Sequence, residues 1–301
     1  MSFNLHTKEK TTVALGFFDG VHIGHAQLIK KTLEISEKTH TIPIVYTFLN
    51  HPMSIYAKEN KPRLILTNEE RFFAIKALGI SNIVADNFNE NLCNTPPLDF
   101  ILALKERLNF NTVVAGFNYT FGKRGAGNTE KLLEIGREYG FAVERIAPVI
   151  YMGETVSSTR IRNAIENGAI EIANNMLTSP YRIAGRVIPN RQVGRRLGFP
   201  TANIVDIGDK VVPKFGVYAT RVYVDGDVYL GVTNVGNNPT FGNQPFSIET
   251  YIIDFNENIY DKGITVEFHE WLREQRKFED INELKTQIAI DKAQAIKALC
   301  R

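Results

Sequence analysis

The sequence has little that would support a disulfide scaffold, a zinc site or a membrane segment. Its 301 residues include only two cysteines, Cys93 and Cys300, which form no CxxC pair, a usage typical of a reducing compartment. No apolar run approaches the roughly 18 residues that a membrane helix needs, and the polar start is unlike a signal peptide. The net charge is only +2, whereas nucleic-acid-binding proteins usually carry a larger, clustered basic excess. We therefore expect a cytoplasmic protein with neither a membrane nor a nucleic-acid partner.

Length and composition favour two ordinary globular domains. Hydrophobic residues make up 44% and charged residues 23%, close to the globular average, and about 150 residues is a usual domain size. The pattern changes near Ser179 and Pro180, from alternating strand-like and helical segments to mostly strand-like ones. The sequence thus predicts one domain over 1–178 and a second over 179–301.

The first half alternates short apolar runs with longer amphipathic segments. Strands are predicted at 13–16, 42–48, 82–85, 112–115 and 142–146. Helices are predicted at 24–38, 67–79, 98–108 and 128–139. Repeated strand–helix order predicts an α/β domain whose parallel sheet is covered on both faces. Ligands of such sheets bind at the carboxyl ends of the strands.

The second half has the rhythm of an antiparallel barrel or sandwich. Strands are predicted at 182–187, 217–224, 229–233, 248–254 and 265–268. A terminal helix follows Asp280, which can cap it together with Glu283 three residues later. Its apolar stripe is formed by Ile281, Leu284, Ile288 and Ala295. We interpret this helix as a packing element that closes the barrel.

The sharpest functional signal is a pair of histidines in one strand–turn–helix corner. His22 and His25 lie in the run GFFDGVHIGH, and the chain has only six histidines. Residues three apart near a helix start can face the same way. Gly24 has no side chain and lets a phosphate approach the backbone. The free N–H groups at a helix start also favour an anion there. Two imidazoles there can offset the charge that builds on an α-phosphate during nucleotidyl transfer. Two structural histidines, or a zinc pair without an evident third ligand, are the alternatives.

This run resembles the HxGH signature of the nucleotidyltransferase superfamily. The fuller string GFFDGVHIGHAQLI is similar to the FAD synthetase module of bacterial bifunctional riboflavin kinase/FAD synthetases. Segments 47–52, 116–122 and 157–162 are similar to later parts of that module, in the same order. The resemblance implies a Rossmann-like nucleotidyltransferase domain that adenylylates FMN with ATP.

The resemblance also implies roles for individual residues. His22, His25 and Arg162 are implied to be catalytic. The residues implied to bind ATP are Gly16, Phe18, Asp19, Gly24, Ser157, Ser158 and Thr159. The residues implied to bind the flavin are His51, Pro52, Asn118 and Phe121. The hydroxyls at 157–159 and the two arginines that follow are also suitable donors to a triphosphate on chemical grounds, with a plain helix cap as the alternative.

A second phosphate-binding signal lies in the run GRRLGFPTAN at 194–203. Glycine and arginine together can hold phosphate, and Thr201 and Asn203 offer hard oxygen ligands that suit Mg²⁺. Glu249, in the strand-like run SIETYI, can take the proton of an attacking hydroxyl. From these residues alone, two alternatives remain open. The run at 194–203 can be a solvated glycine-rich turn, and Glu249 can be a solvent-facing carboxylate.

The same run resembles the riboflavin kinase signature GxxLGFPTAN. The resemblance implies a kinase barrel that makes FMN from riboflavin, ATP and Mg²⁺, with Glu249 as the catalytic base and with Thr201 and Asn203 at the metal. The residues implied to bind ATP are Gly185, Arg195, Gly198 and Pro200. Those implied to bind the flavin are Arg273 and Phe278. FMN is then the product of the kinase step and a substrate of the adenylylation step, and FAD is the final product.

The sequence departs from the family pattern at four positions. The family usually has proline at Asn50, an acidic residue at Asn118, a basic one at Thr120 and arginine at Asn238. These departures leave open a chain that retains only one activity, and a flavin-binding sensor with decayed catalysis. A nucleotidyltransferase with another substrate and a regulatory barrel is a further alternative. The sequence makes no prediction of oligomeric state.

Overall fold

The computed structural model describes residues 7–56, 61–189, 199–204, 207–237 and 246–300. The chain divides into two compact units, Met1–Ser158 and Thr159–Arg301. In the second unit, Asn174 exchanges hydrogen bonds with the backbone of Tyr181 and Phe268. The domain boundary between residues 178 and 179 stays a prediction.

The first unit is built on a five-stranded parallel sheet with the order β3-β2-β1-β4-β5. Its strands are β1 (Thr11–Leu15), β2 (Ile42–Phe48), β3 (Asn82–Asp86), β4 (Phe110–Gly116) and β5 (Ala142–Ile146). All five residues of β1 are buried, because helices cover a parallel sheet on both faces. The chain winds outward in both directions from β1 and β4, so the carboxyl ends of these strands form the switch point.

Among the described residues, the α-helices of the first unit agree with the predicted pattern, with two additions. They are α1 (Ile23–Thr39), α2 (Met53–Tyr56), α3 (Asn68–Ala77), α4 (Glu90–Asn94), α5 (Pro97–Leu108) and α6 (Thr129–Tyr139). The short helices α2 and α4 were not predicted, since four or five residues carry no readable periodicity. A two-stranded hairpin, β6 (Ile150–Tyr151) with β7 (Glu154–Thr155), was also missed.

The second unit holds a six-stranded antiparallel sheet with the order β8-β13-β10-β11-β12-β9. Its strands are β8 (Arg182–Arg186), β9 (Thr201–Ile204), β10 (Gly216–Val224), β11 (Asp227–Gly236), β12 (Ser247–Ile252) and β13 (Gly263–Arg273). The sheet curls so that its edges meet at an isolated bridge between Ile188 and Asn203. The predicted antiparallel barrel-type architecture is confirmed; β9 had not been predicted as a strand.

The helices described after β7 are α7 (Ser158–Glu166), α8 (Ile170–Met176) and α9 (Ile281–Leu299). Asp280 caps α9 by accepting from the backbone N–H groups of Asn282 and Glu283, as predicted. The predicted reciprocal contact is absent there, because the Glu283 carboxylate accepts from the backbone N–H of Glu279 instead of that of Asp280. Ile281, expected in the buried stripe, is 59% exposed. That expectation was wrong because the buried contacts of α9 with the sheet lie at its other end, at Ala295 and Leu299. Within the described ranges, none of the helices combines the length and apolar character of a membrane span.

Candidate active sites

The two histidines of the first unit stack face to face and cap α1 for each other. Their ring centroids lie 3.6 Å apart with an interplanar angle of 15°. The Nδ1 atom of His22 accepts from the backbone N–H of His25 at 3.2 Å, and Nδ1 of His25 accepts from the N–H of His22 at 3.3 Å. Because each Nδ1 is an acceptor, a neutral ring carries its proton on Nε2. The capping contacts therefore use one nitrogen of each ring and leave each Nε2–H to act as a donor.

Both imidazoles are held in the neutral form. Burial lowers the pKa of His22 to about 4. Burial, followed by the charges of His22 and Arg71, holds the pKa of His25 well below its usual range. At neutral pH the pair thus offers hydrogen-bond donors at a helix start, where an anion is already favoured.

We expect neither ring to titrate between about pH 5.5 and pH 8 in the ligand-free protein, because burial disfavours the charged form. The Cε1–H shifts of His22 and His25, assigned by NMR with His22→Asn and His25→Gln, measure this directly. An unstructured histidine peptide, with a midpoint near ~6.5, is the reference. A midpoint near that of the peptide for either ring would contradict the neutral-pair assignment.

Glycines make room for the rings of this corner. A Cβ at Gly24 would lie 3.1 Å from the His22 ring, and one at Gly16 would lie 2.9 Å from the ring of Phe18. Phe18 is buried at a left-handed φ of 61°, and its ring centroid is 5.1 Å from that of His25. Gly24 therefore accommodates an imidazole, and the Phe18 ring supports His25. Nucleotide binding at these positions stays a prediction.

Asp19 and Ser158 tie the loop after β1 to its surroundings. Asp19 is buried, and its Oδ1 accepts from the backbone N–H groups of Ile65 and Leu66. Its main-chain oxygen accepts from the Ser158 hydroxyl at 2.9 Å. The structure thus brings Ser158 to the histidine loop and gives the Asp19 carboxylate a structural task. Their predicted contacts with ATP, and that of Ser157, stay predictions.

Thr159 and Arg162 lie on α7 in the second unit. The Nη1 atom of Arg162 lies 3.4 Å from the Thr159 hydroxyl, to which it donates. Their predicted roles at the nucleotide stay predictions.

An aromatic cavity of about 600 Å³ adjoins the carboxyl end of β2. It is lined by Phe48, Pro52, Met53, Phe88, Leu92, Phe100, Tyr119, Thr120, Phe121, Gly122, Arg124 and Gly125. Two of the residues predicted at the flavin, Pro52 and Phe121, are among them. Gly127 is required here, since a Cβ would lie 2.7 Å from the Phe121 ring. Flat aromatic walls of this kind suit a planar ring ligand.

The other two predicted flavin residues stand outside this lining. His51 meets the ring of Phe17 edge-on, with centroids 4.7 Å apart, and its Nδ1 accepts from the N–H of Met53. It therefore lies between the cavity residue Pro52 and the loop that carries the histidine pair. Asn118 is exposed, and its role stays a prediction.

In the second unit, three predicted residues share one cross-strand row. Asn203 on β9 is opposite Glu249 on β12, which is opposite Asn234 on β11. Asn234 is in turn opposite Val217 on β10, and Val217 is opposite Arg273 on β13. Directly opposed side chains share a face of the sheet. The row therefore collects two amides, a carboxylate and a guanidinium on one surface.

A cavity of about 290 Å³ lies over this surface. It is lined by Phe199, Thr201, Val217, Val232, Asn234, Glu249, Tyr251, Arg273, Gln275, Arg276, Phe278, Leu284, Ile288 and Asp291. Four predicted residues, Thr201, Glu249, Arg273 and Phe278, line it together. The interpretation of α9 as only a packing helix was incomplete, because its first half forms one wall of this cavity.

Three predicted residues bring side-chain oxygen atoms to this part of the sheet. Asn203 is 1% exposed, and it sits two residues after Thr201 on β9, opposite the Glu249 carboxylate. Hydroxyl, amide and carboxylate oxygens are the donors that Mg²⁺ prefers. In the described part of the chain, no group of three or more His, Cys, Asp or Glu residues forms a metal cluster.

Arg273 is fixed by a residue that sequence reasoning missed. Its Nε and Nη2 atoms donate to Oδ1 and Oδ2 of Asp291 at 2.9 and 2.8 Å. Asp291 is 2% exposed and also accepts from Gln287. A signal existed: Asp291 is a carboxylate within the apolar stripe of α9, three residues after Ile288. Asn234, which accepts from Gln275, was missed as well.

We expect Asp291→Ala to lower the free energy of unfolding of the second unit by about 3–5 kcal/mol, because a partly buried guanidinium loses its carboxylate. Urea denaturation followed by the fluorescence of Trp271, the chain's one tryptophan, reports on this unit. Asp254→Asn, which removes the exposed ion pair with Lys292, should cost less than about 1 kcal/mol. Equal effects of the two changes would contradict a special role for Asp291.

For the remaining residues predicted at the kinase site, the structure gives positions only. Gly185 lies within β8 opposite Ile264, and Pro200 is exposed just before β9. Their contacts with ATP stay predictions. Arg195, Gly198 and the departure at Asn238 lie outside the described residues.

Comparison with known proteins defines the class of each half. Residues 4–160 match the family model of FAD synthetase, and residues 177–299 match that of riboflavin kinase. The chain thus has a nucleotidyltransferase module followed by a kinase module. It belongs to the family of bifunctional riboflavin kinase/FMN adenylyltransferases, as the resemblance implied.

Relatives with that description cover nearly the whole chain. One from Bacillus subtilis is 38% identical over 96% of this chain and 92% of its own length. One from Listeria monocytogenes is 35% identical over 93% and 89%, and one from Escherichia coli is 30% identical over 96% and 92%. A solved structure from Streptococcus pneumoniae, described as a macrolide-efflux protein, is 29% identical, with a TM-score of 0.90 over 97% of this chain and 95% of that one.

Proposed function

We propose that the chain makes FAD from riboflavin in two ATP-dependent steps. The second unit transfers the γ-phosphoryl group of ATP to riboflavin, which gives FMN. The first unit joins FMN to the adenylyl group of a second ATP, which gives FAD and pyrophosphate. The observation that carries this proposal is that both family models match the chain. The cavity in each unit, with its matching chemistry, supports it further.

In the adenylyl step, the aromatic cavity holds the isoalloxazine ring of FMN. A phosphate oxygen of FMN attacks the α-phosphorus of ATP, and pyrophosphate leaves. The Nε2–H groups of His22 and His25 donate to the α-phosphate oxygens and offset the charge that builds there. The start of α1 adds its dipole and backbone N–H groups. Neutral imidazoles suffice, because this role requires donors and no proton transfer.

In the kinase step, the cavity under α9 holds riboflavin. Glu249 takes the proton from the ribityl hydroxyl as that oxygen attacks the γ-phosphorus. Thr201 and Asn203 would hold Mg²⁺, which when bound neutralises charge on the ATP phosphates. Arg273, fixed by Asp291, and the rings of Tyr251 and Phe278 orient the flavin.

The proposed partners are therefore riboflavin, FMN and ATP. The predicted cytoplasmic location and the module boundary at residue 178 complete the proposal. The location is supported by the two free cysteines, and the boundary by the second family model, which begins at residue 177.

A conversion assay tests the proposal. Purified chain is incubated with riboflavin, ATP and Mg²⁺, and the flavins are separated by chromatography over time. We expect FMN first, then FAD, and no conversion when EDTA removes the metal. FMN without FAD would refute the adenylyl step, and FAD from supplied FMN but never from riboflavin would refute the kinase step. Binding without any conversion would favour a flavin sensor.

A further inference from the structure

A buried arginine joins the two halves of the adenylylation site. Arg71 lies in the first turns of α3 and is 1% exposed. The start of this helix is fixed by a reciprocal cap between Thr67 and Glu70. The guanidinium is therefore anchored to a rigid element.

The guanidinium donates to the backbone just beyond β1 and at the end of the neighbouring strand β2. Its Nη1 atom donates to the carbonyl oxygen of Phe17, and its Nη2 atom to that of Phe48, each at 2.5 Å. Nη2 also donates to Oδ1 of Asn68 at 2.7 Å. The Arg71 Cζ atom lies 4.5 Å from the centroid of the Phe17 ring. The hydroxyl of Thr47 adds a further bond to the Phe17 carbonyl.

These two carbonyls belong to different parts of the site. Phe17 directly precedes Phe18, whose ring supports His25. Phe48 is the last residue of β2 and lines the aromatic cavity. The planar guanidinium of Arg71 thus sets the spacing between the loop of the imidazole pair and a wall of the cavity.

The burial of the Arg71 guanidinium is energetically unfavourable, which is unexpected for a residue that serves packing alone. All three acceptors of the guanidinium are uncharged, and its Nε atom is buried with no hydrogen-bond partner among the described residues. Burial lowers the pKa of Arg71 to about 10, although the charge of Asp19 acts to raise it, so Arg71 remains a cation at neutral pH. A buried, incompletely satisfied cation lowers stability, and such features persist mainly at functional sites.

We propose that Arg71 is a positioning residue for adenylyl transfer, which sets the distance between the bound FMN phosphate and the α-phosphate held by the two imidazoles. This inference rests on the proposed function of the first unit. Arg71 touches neither substrate; it acts through the backbone at Phe17 and Phe48. Removal of the two guanidinium hydrogen bonds should therefore lower turnover, while each substrate still binds at its own subsite.

The test compares Arg71→Lys with wild type. Lysine keeps the charge but cannot reach two carbonyls with a planar fork. We expect kcat for FAD formation from FMN to fall about 10²-fold, the size of effect produced by misplacing reacting groups by about 1 Å. We expect KM for FMN and ATP, and the Kd of FMN alone measured by flavin fluorescence, to change less than about threefold. FMN formation from riboflavin should be unchanged.

Arg145→Lys, at an exposed ion pair with Glu130 in the same unit, is the matched control and should leave kcat unchanged. The inference is overturned if Arg71→Lys keeps its kcat within about threefold of wild type, or if the loss resides in KM and Kd. A wild-type chain that forms no FAD from FMN would instead refute the proposed function itself.

A second pair of variants covers a failure of Arg71→Lys to fold. Asn68→Ala keeps Arg71 and removes one of its acceptors, so we expect kcat for FAD formation to fall about fivefold, the worth of one hydrogen bond. Asn68→Asp keeps the acceptor and should keep the rate. Equal rates for the two Asn68 variants would overturn the inference.

Discussion

His25→Ala lowers FAD formation from FMN by about 10²–10³-fold, the usual cost of removing one donor to a developing oxyanion. FMN formation from riboflavin is unchanged, since Glu249 and its cavity belong to the second unit. The reason for the loss is specific: Nδ1 of His25 is engaged in capping α1, so the proposed mechanism assigns its Nε2–H to the α-phosphate. Chromatographic assays of each step, started from riboflavin or from FMN, measure both effects.

The control for this prediction is His40→Asn at the other end of α1. His40 has a left-handed φ of 52°, which asparagine tolerates, so helix and activities should be retained. A thermal melt checks that His25→Ala still folds. FAD formation by folded His25→Ala at the wild-type rate would show that the imidazole pair has no part in the reaction.

Glu249→Gln lowers FMN formation from riboflavin by about 10²–10⁴-fold, the range that a positioned general base contributes. Glutamine keeps the shape of the side chain and its place in the cross-strand row opposite Asn203 and Asn234, but it cannot accept the ribityl proton. FAD formation from supplied FMN is unchanged. The initial rate of FMN formation at saturating riboflavin and ATP is the quantity to measure.

Glu257→Gln, at an exposed position of the same unit, is the companion control and should leave both steps intact. If Glu249→Gln phosphorylated riboflavin as fast as wild type, another group would have to take the proton, and the assignment of the base would be lost.

Much of the fold was readable because it is encoded locally. The strand–helix alternation predicted β1 to β5 and the longer helices of the first unit, and Asp280 predicted the start of α9. The histidine pair was readable for the same reason: three-residue spacing at a helix start is a local property. The reciprocal Nδ1 capping was not, because it depends on ring rotation that no spacing encodes.

The residues that were missed depend on long-range packing. Asn234 matters because strand register places it beside Glu249, and register is set by partners distant in sequence. Arg71 gave one weak signal, a charged residue four before the buried Ile75 on the same helix face. The role that we propose for it depends on contacts of α3 with the chain just after β1 and at the end of β2. The cavity wall formed by α9 likewise requires the helix to be docked on the sheet.

We infer that one chain carries two separate active sites that act in succession through FMN. The most direct test of this inference mixes His25→Ala with Glu249→Gln and supplies riboflavin, ATP and Mg²⁺. Neither variant alone should convert riboflavin to FAD at an appreciable rate, whereas the mixture should do so, because FMN made by the first protein is adenylylated by the second. A mixture that forms no FAD while wild type does, or a single variant as fast as wild type, would contradict the account.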